Sequence, residues 1–172
     1  MRRLRMLMTV QLLILFSVLL SGCKNPLWPA DETTTVSKLP SQVGLTLLAD
    51  SDINPNESLA ASPASFQVIW MSDDSKLLAT DIDQLTTKKL EDVLGKNYLN
   101  HQDFTLIPGQ YKYLPPVELD KETRFIGVAV YFSQPNATQW KKVIKVSPVG
   151  HRYQILIQLH KNSVDILKES ED

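Results

Sequence analysis

Apolar and polar residues alternate along most of the chain from Val43 onward, and this period of two constrains the fold more than any other feature. Successive side chains of a strand point to opposite faces, so each alternating segment predicts a strand with one buried face. The first two such segments each place three apolar residues on one face, namely Val43, Leu45 and Leu47, then Phe66, Val68 and Trp70. Strands of this kind must pair into sheets and bury their apolar faces together.

The later segments continue the pattern. Residues 125–132 are apolar on both faces, which predicts a central strand covered on each side. Residues 140–146 alternate after the turn residues Pro135-Asn136, and residues 153–160 alternate before the turn Lys161-Asn162-Ser163. Each of these turns predicts a hairpin.

The middle of the chain departs from the period of two. Apolar residues at helical spacing predict a short helix over Ser75–Leu85 and a second helical piece that ends at Gly95. A strand pair is predicted around Pro108-Gly109, from Phe104 to Tyr113, and ended by Pro115-Pro116. Seven or eight short strands at regular spacing predict an all-β fold, a two-sheet β-sandwich with one or two short helical insertions.

The only cysteine follows a short apolar run. Arg2, Arg3 and Arg5 precede the run, which extends from Leu12 to Leu20, and Ser21-Gly22-Cys23 follows it. This is the layout of a secretory signal peptide over residues 1–22, with Cys23 as the residue that accepts diacylglycerol and an N-acyl lipid in a bacterial lipoprotein. The alternative is an ordinary signal or membrane anchor, but the run is shorter than the roughly 20 residues that a spanning helix needs.

Lys24, directly after the cysteine, is not the aspartate that retains many lipoproteins in the inner membrane. We therefore expect a lipid anchor in the outer membrane, a proline-containing linker over residues 23–40, and a folded domain over residues 41–172 that faces the periplasm. Loss of three arginines with the signal changes the net charge from −1 to −4. This mild acidity argues against a nucleic-acid-binding surface, which needs clustered positive charge.

The residues that could carry chemistry do not form a convincing site. Asp81-Ile82-Asp83 resembles a metal motif, but positions i and i+2 of a helix face different directions, and no third ligand follows. Serine, histidine and aspartate all occur, yet no serine lies in a nucleophile-elbow motif. Asn136-Ala137-Thr138 matches a glycosylation sequon, but it is interpreted as a hairpin turn. We predict no metal, no cofactor beyond the lipid on Cys23, no small-molecule substrate and no enzymatic activity.

The segment between the first two strands, Asp50–Pro63, is much longer than a hairpin loop requires. Long polar loops on rigid sandwiches often form binding surfaces. The other possibility is a loop excursion without a partner, and the residues alone do not decide between the two.

The order of these features resembles the TssJ family, the outer-membrane lipoproteins of type VI secretion systems. The resemblance covers essentially the whole mature chain. It rests on Cys23, Asn54-Pro55-Asn56 followed by Ser62-Pro63, a helix with Asp81 and Leu85, Leu94-Gly95, Pro108-Gly109, and Ile126–Tyr131 with Trp140 downstream.

The resemblance implies a transthyretin-like sandwich that is a structural part of a trans-envelope membrane complex. It implies binding, through the loop between the first two strands, to the periplasmic C-terminal region of the IcmF-like inner-membrane protein TssM, with TssL in the same complex. Carried onto this chain, the implied contacts are Asn54, Pro55, Asn56, Glu57, Ser58 and Leu59. Two alternatives remain: a periplasmic lipoprotein that binds a small molecule in the sandwich, and a lipoprotein hydrolase, which would need clustered Ser, His and acid residues.

Overall fold

The computed structural model describes residues 39–134 and 139–171. The predicted signal peptide, Cys23, nearly all of the linker and the Pro135-Asn136 turn lie outside the described residues. The strands of the described part are β1 (Gln42–Ala49), β2 (Ala64–Met71), β3 (Tyr98–Leu106), β4 (Tyr111–Glu118), β5 (Phe125–Tyr131), β6 (Lys141–Lys145), β7 (Arg152–Leu159) and β8 (Val164–Glu171). Its helices are α1 (Ser75–Ala79), α2 (Ile82–Thr87) and α3 (Leu90–Leu94), followed by a 3-10 turn, Gly95–Asn97.

The strands form two four-stranded sheets, which confirms the predicted sandwich. The first sheet has the order β4-β1-β7-β8 and the second has the order β3-β2-β5-β6. Strands β1 and β7 run parallel, whereas all other neighbours run antiparallel. Strand β1 is therefore held by ladders on both sides, and β3 and β4 are edge strands of different sheets.

The main core lies between the sheets. The predicted inner faces of β1 and β2 meet there: Val43, Leu45, Leu47, Phe66 and Val68 are all at most 4% exposed. A second, smaller core lies between the outer face of the second sheet and the helices, and it buries Ile69, Met71, Leu77, Leu94 and Ala129. Strand β5 contributes to both cores, which confirms the prediction of a central strand covered on two sides.

The prediction of one continuous helix over Ser75–Leu85 is wrong. Helix α1 ends at Ala79, and Thr80 has an extended backbone. Asp81 then begins α2 as its N-cap: its carboxylate accepts a hydrogen bond from the Gln84 amide (3.0 Å), and the Gln84 side chain accepts one from the Asp81 amide (3.4 Å). This reciprocal capping box starts a new helix and accounts for the Asp-Ile-Asp sequence without a metal. The predicted end of the next helix at Gly95 is confirmed, with a φ of 54°.

A lysine of β6 fastens the helical insertion to the second sheet. The Lys141 ammonium donates hydrogen bonds to the carbonyl oxygens of Leu77 (3.0 Å), Leu78 (2.6 Å) and Thr80 (2.5 Å). The Leu77 carbonyl also accepts from the Thr80 amide (3.2 Å), and the ammonium adds a charged donor shared by the three carbonyls at the C-terminal end of α1. Burial lowers the pKa of Lys141, and the nearby Asp81 carboxylate acts in the opposite direction.

The predicted strand pair around Pro108-Gly109 is also wrong in its pairing. Strand β3 pairs with β2, whereas β4 pairs with β1, so the chain crosses from one sheet to the other at this turn. Strand β4 does not end at Pro115-Pro116 but continues to Glu118. An edge strand needs hydrogen bonds on one side only, and a register shift between Val43 and Leu45 accommodates the two prolines.

Candidate functional site

The 50–63 loop leaves the sandwich at the end of β1, where Asp50 fixes its base. The Asp50 amide donates to the Leu159 carbonyl (2.9 Å), and the Asp50 carbonyl accepts from Gly109 (3.1 Å). The carboxylate accepts from the Gln158 side chain (2.9 Å) and contacts Nδ1 of His160 (2.8 Å). The hydrogen bond from Gln158, followed by that from His160, holds the pKa of Asp50 below its ordinary value.

His160 lies between two carboxylates. Its Nδ1 contacts Asp50, and its Nε2 lies 3.3 Å from a carboxylate oxygen of Asp165. Because both ring nitrogens are engaged, this cluster offers neither a free base nor a metal ligand. No group of three or more His, Cys, Asp or Glu residues within 39–134 and 139–171 is arranged to hold a metal ion.

The stem of the loop is anchored in the core. Ile53 is fully buried, and Asn54 is 5% exposed with a φ of 47°. The Asn54 side chain donates to the Pro63 carbonyl (2.6 Å) and accepts from the Ser133 amide (2.6 Å). Asparagine tolerates this left-handed backbone better than most residues, so Asn54 both turns the chain and ties the two ends of the loop together.

The tip of the loop is closed by Asn56. Its side-chain oxygen accepts hydrogen bonds from the amides of Ser58 (2.9 Å) and Ala60 (3.1 Å), and its backbone carbonyl accepts from Leu59 (2.9 Å). Leu59 has a φ of 61° and is 79% exposed. A leucine adopts this conformation only at a cost of about 1–2 kcal/mol, so the surrounding hydrogen bonds hold an apolar side chain outward in a defined position.

The six predicted contact residues therefore divide into two groups. Asn54 is an internal anchor and Pro55 is half-buried, whereas Asn56, Glu57, Ser58 and Leu59 are exposed. Sequence reasoning missed Gln158, His160 and Asp165, which brace the loop base. Gln158 and His160 contact Asp50, which lies more than 100 positions earlier in the chain, and Asp165 contacts His160, so no local spacing could have indicated this cluster. It also missed two exposed apolar residues near the same end, Ile107 and Tyr111.

The fold and this loop define a class of proteins: two-sheet β-sandwiches that display a structured loop at one end. The family model described as "Type VI secretion lipoprotein, VasD, EvfM, TssJ, VC_A0113" matches residues 41–162. The chain thus belongs to this family of type VI secretion lipoproteins. The family is structural and not enzymatic, which confirms the resemblance and the prediction that the protein has no enzymatic activity.

Solved structures share the fold. The type VI lipoprotein TssJ1 from Pseudomonas aeruginosa superposes with a TM-score of 0.71 at 22% identity, covering 78% of this chain and 100% of that one. Serratia marcescens Lip, a membrane-bound component of the type VI secretion system, gives a TM-score of 0.64 at 22% identity, covering 77% of this chain and 100% of that one. A chain in a structure of the TssM C-terminal domain from EAEC gives a TM-score of 0.62 at 20% identity, covering 73% of this chain and 97% of that one.

No functionally curated protein matches the chain. Within the described ranges, the helices are too short and insufficiently apolar to cross a membrane.

Proposed function

We propose that this lipoprotein is the outer-membrane component of a type VI trans-envelope complex and binds the periplasmic C-terminal region of a TssM-like inner-membrane protein. TssL is part of the same complex. Acyl chains on Cys23 hold the protein in the outer membrane, and the 50–63 loop holds the partner. Family membership supports a role in a type VI secretion system, and the shared fold of a chain in a structure described as the TssM C-terminal domain supports the choice of partner.

The observation that carries the proposal is the position of Leu59. An exposed apolar side chain on a strained backbone is costly to an isolated protein, and such strain is concentrated at binding sites. The hydrogen bonds that the Asn56 side chain accepts from the Ser58 and Ala60 amides fix the tip before any partner arrives. A pre-shaped tip loses less conformational entropy on binding, so more of the contact energy contributes to affinity.

The sharpest test is a single truncation with a matched control. Leu59→Ala should weaken binding of the purified TssM-like periplasmic region by roughly thirtyfold, about 2 kcal/mol, if Leu59 is a hot spot. Leu167→Ala is the control, because Leu167 is 60% exposed on β8. Calorimetric titration of the partner region into both variants measures their dissociation constants. Equal dissociation constants for the two variants would move the interface away from the loop.

Replacement of Asn54–Leu59 by a Gly-Ser segment of equal length extends the test. The sandwich should still fold at reduced stability, because loss of the buried Asn54 costs about 2–4 kcal/mol against a total of about 5–15 kcal/mol. Partner binding should be lost. Retained binding together with a normal unfolding transition would contradict the proposal.

The anchor is tested separately. Cys23→Ser should abolish incorporation of radiolabelled palmitate and leave the protein as an unprocessed precursor, because serine cannot form the thioether. Ser21→Ala, which keeps the cysteine and a small residue before it, is the control and should be labelled normally. Palmitate on the Cys23→Ser protein would disprove lipidation at this residue.

A further inference from the structure

A groove opens between the edge strands β3 and β4, away from the 50–63 loop. Its volume is about 640 Å³. It is bordered by the first half of β1, the end of β2, the start of β3, the end of β4 and the turn between β4 and β5. The loop leaves β1 at the opposite end of that strand. The groove therefore uses none of the residues assigned to partner binding above.

The walls of the groove are strand edges. Four consecutive residues of β3, Leu99 to Gln102, border it, and so do Leu114, Pro115, Val117 and Glu118 of β4. Side chains alternate along a regular strand, but Trp70 pairs with Asn100 and Met71 with Tyr98, so Leu99 is the extra residue of a β-bulge and neighbouring β3 residues reach the groove together. The His101 amide donates to the side chain of Asn100 (2.8 Å) at this edge. An open edge of this kind is the surface on which an extended peptide adds a strand.

The floor is apolar and the rim is acidic. Val43 and Leu45 form part of the floor, and the indole of Trp70 is only half-buried there. The rim carries the carboxylates of Glu118, Asp120 and Glu122, and no lysine or arginine lines the groove among the described residues. Neighbouring Arg124 instead directs its guanidinium to the carbonyls of Lys121 (2.8 Å) and Thr123 (3.0 Å). No lysine or arginine of the described groove lining therefore neutralises these carboxylates.

A buried hydroxyl supplies an independent indication of a ligand. Thr123 lines the groove, is 0% exposed, and its Oγ1 has no hydrogen-bond partner in the part of the chain that the structure describes. Buried hydroxyls are nearly always paired, because an unpaired one loses its hydration without compensation. This oxygen is closed to solvent as the structure stands, so a donor from the groove reaches it only when the Thr123 side chain rotates toward the groove.

We propose that the groove binds an extended peptide segment of another protein, with a lysine or arginine side chain between apolar ones. The segment lies along the free edge of β3. Its cation meets the carboxylates of Glu118 and Glu122 and supplies the donor that Thr123 lacks, and a neighbouring apolar side chain covers Trp70. Asp120 accepts from the Glu122 amide (2.7 Å) and keeps the turn in shape.

The test uses the full chain in neutral detergent and a fluorescein-labelled pentapeptide that alternates valine with arginine. Fluorescence anisotropy should show saturable binding of this peptide and none of its counterpart with glutamate in place of arginine. Hydrogen exchange at residues 99–102 should slow on binding, since strand addition protects these amides. Equal binding of both peptides, or of neither, would overturn the proposal.

Matched variants locate the site. Glu118→Gln with Glu122→Gln should weaken binding of the arginine peptide by at least about tenfold, because two charge-assisted contacts are lost. Glu91→Gln with Glu169→Gln removes the same charge from exposed positions outside the groove and should leave binding unchanged. Equal losses in the two double variants would mean that only net charge matters and would refute the site.

Thr123→Val distinguishes a ligand-binding hydroxyl from a merely structural one. The variant should bind the arginine peptide more weakly and yet unfold at a higher temperature without it, since the unpaired hydroxyl is gone. Unchanged affinity would remove Thr123 from the site. Blocked arginine amide is the remaining probe: if it binds as tightly as the pentapeptide, the ligand is a small cation and the peptide proposal is wrong.

Discussion

Asn54 and Asn56 shape the 50–63 loop in different ways. Asn54 is inside the protein and connects the loop stem to Pro63 and Ser133. Asn56 is exposed and folds the tip on itself by accepting from Ser58 and Ala60. One residue type therefore supplies both the anchor and the internal turn, because the short amide reaches nearby backbone groups and tolerates a left-handed φ.

We predict that Asn54→Ala lowers the free energy of unfolding by about 2–4 kcal/mol, since two hydrogen bonds are lost and alanine is strained at this φ. Asn54→Gly is the matched control: it loses the same hydrogen bonds but accepts the backbone, so it should cost about 1 kcal/mol less. Urea unfolding measures the free energy of unfolding of both variants. If the two variants were equally stable, backbone strain at this position would contribute nothing.

Asp50 makes the loop base sensitive to acid. Its pKa is lowered in the folded state, so its contribution to stability is complete above the ordinary carboxyl pKa of about 3.9 and is lost as the pH falls through the lower folded value. Asp50→Asn should therefore lower the urea midpoint at pH 6, and its difference from the wild type should shrink below about pH 4. Asp52→Asn, which removes a carboxylate from an exposed neighbouring position, is the matched control. A difference that stays constant from pH 6 to pH 2.5 would contradict this role.

At the scale of elements, the helical insertion depends on one lysine. Lys141→Met should destabilise the protein by about 2–4 kcal/mol, because three carbonyls at the end of α1 lose a charged donor. Amide exchange over residues 75–94 should quicken more than exchange in the first sheet.

Lys142→Met is the control for this experiment. The Lys142 ammonium lies 3.7 Å from Asp165, and both side chains are well exposed. Exposed pairs of this kind contribute at most about 1 kcal/mol. If Lys142→Met were as damaging as Lys141→Met, the capping role of Lys141 would be wrong.

The strands and helices also show which parts of the fold a sequence pattern can predict. The period of two predicted β1, β2, β5, β6 and β7 because each strand has a face committed to a core. It failed at the Pro108-Gly109 turn, since alternation identifies a strand but not the sheet that the strand joins. The helix over Ser75–Leu85 failed because apolar spacing continued through Thr80 and Asp81, whose cap geometry breaks the backbone.

The loop site was only partly predictable from the sequence, because contacts between distant parts of the chain shape it. Length and polarity indicated the 50–63 loop, but its shape comes from long-range contacts, such as Asn54 with Ser133 and Asp50 with His160. The groove left no signature at all. Its walls come from β3 and β4, whose approach depends on the crossing between sheets that the sequence pattern did not reveal.

At the scale of the whole molecule, the 50–63 loop and the groove lie at opposite ends of β1. Sites that share no partner residues act independently to within about 0.5 kcal/mol. We predict that Glu118→Gln with Glu122→Gln leaves affinity for the TssM-like region within about twofold of the wild type. Conversely, the Gly-Ser loop variant should bind the arginine peptide normally. Competition between the two ligands in anisotropy titrations would show that the sites overlap.

Strand β1 starts just after the segment that leads from Cys23, and it ends at the 50–63 loop. In the proposed role, tension between the two membranes would enter at one end of this strand and leave at the other. Because both points of attachment lie at the ends of the same extended strand, the pull would run along its covalent backbone, and the ladders to β4 and β7, which lie across that direction, would carry little of it. The rest of the sandwich would then need to hold β1 in place but not to resist the pull itself.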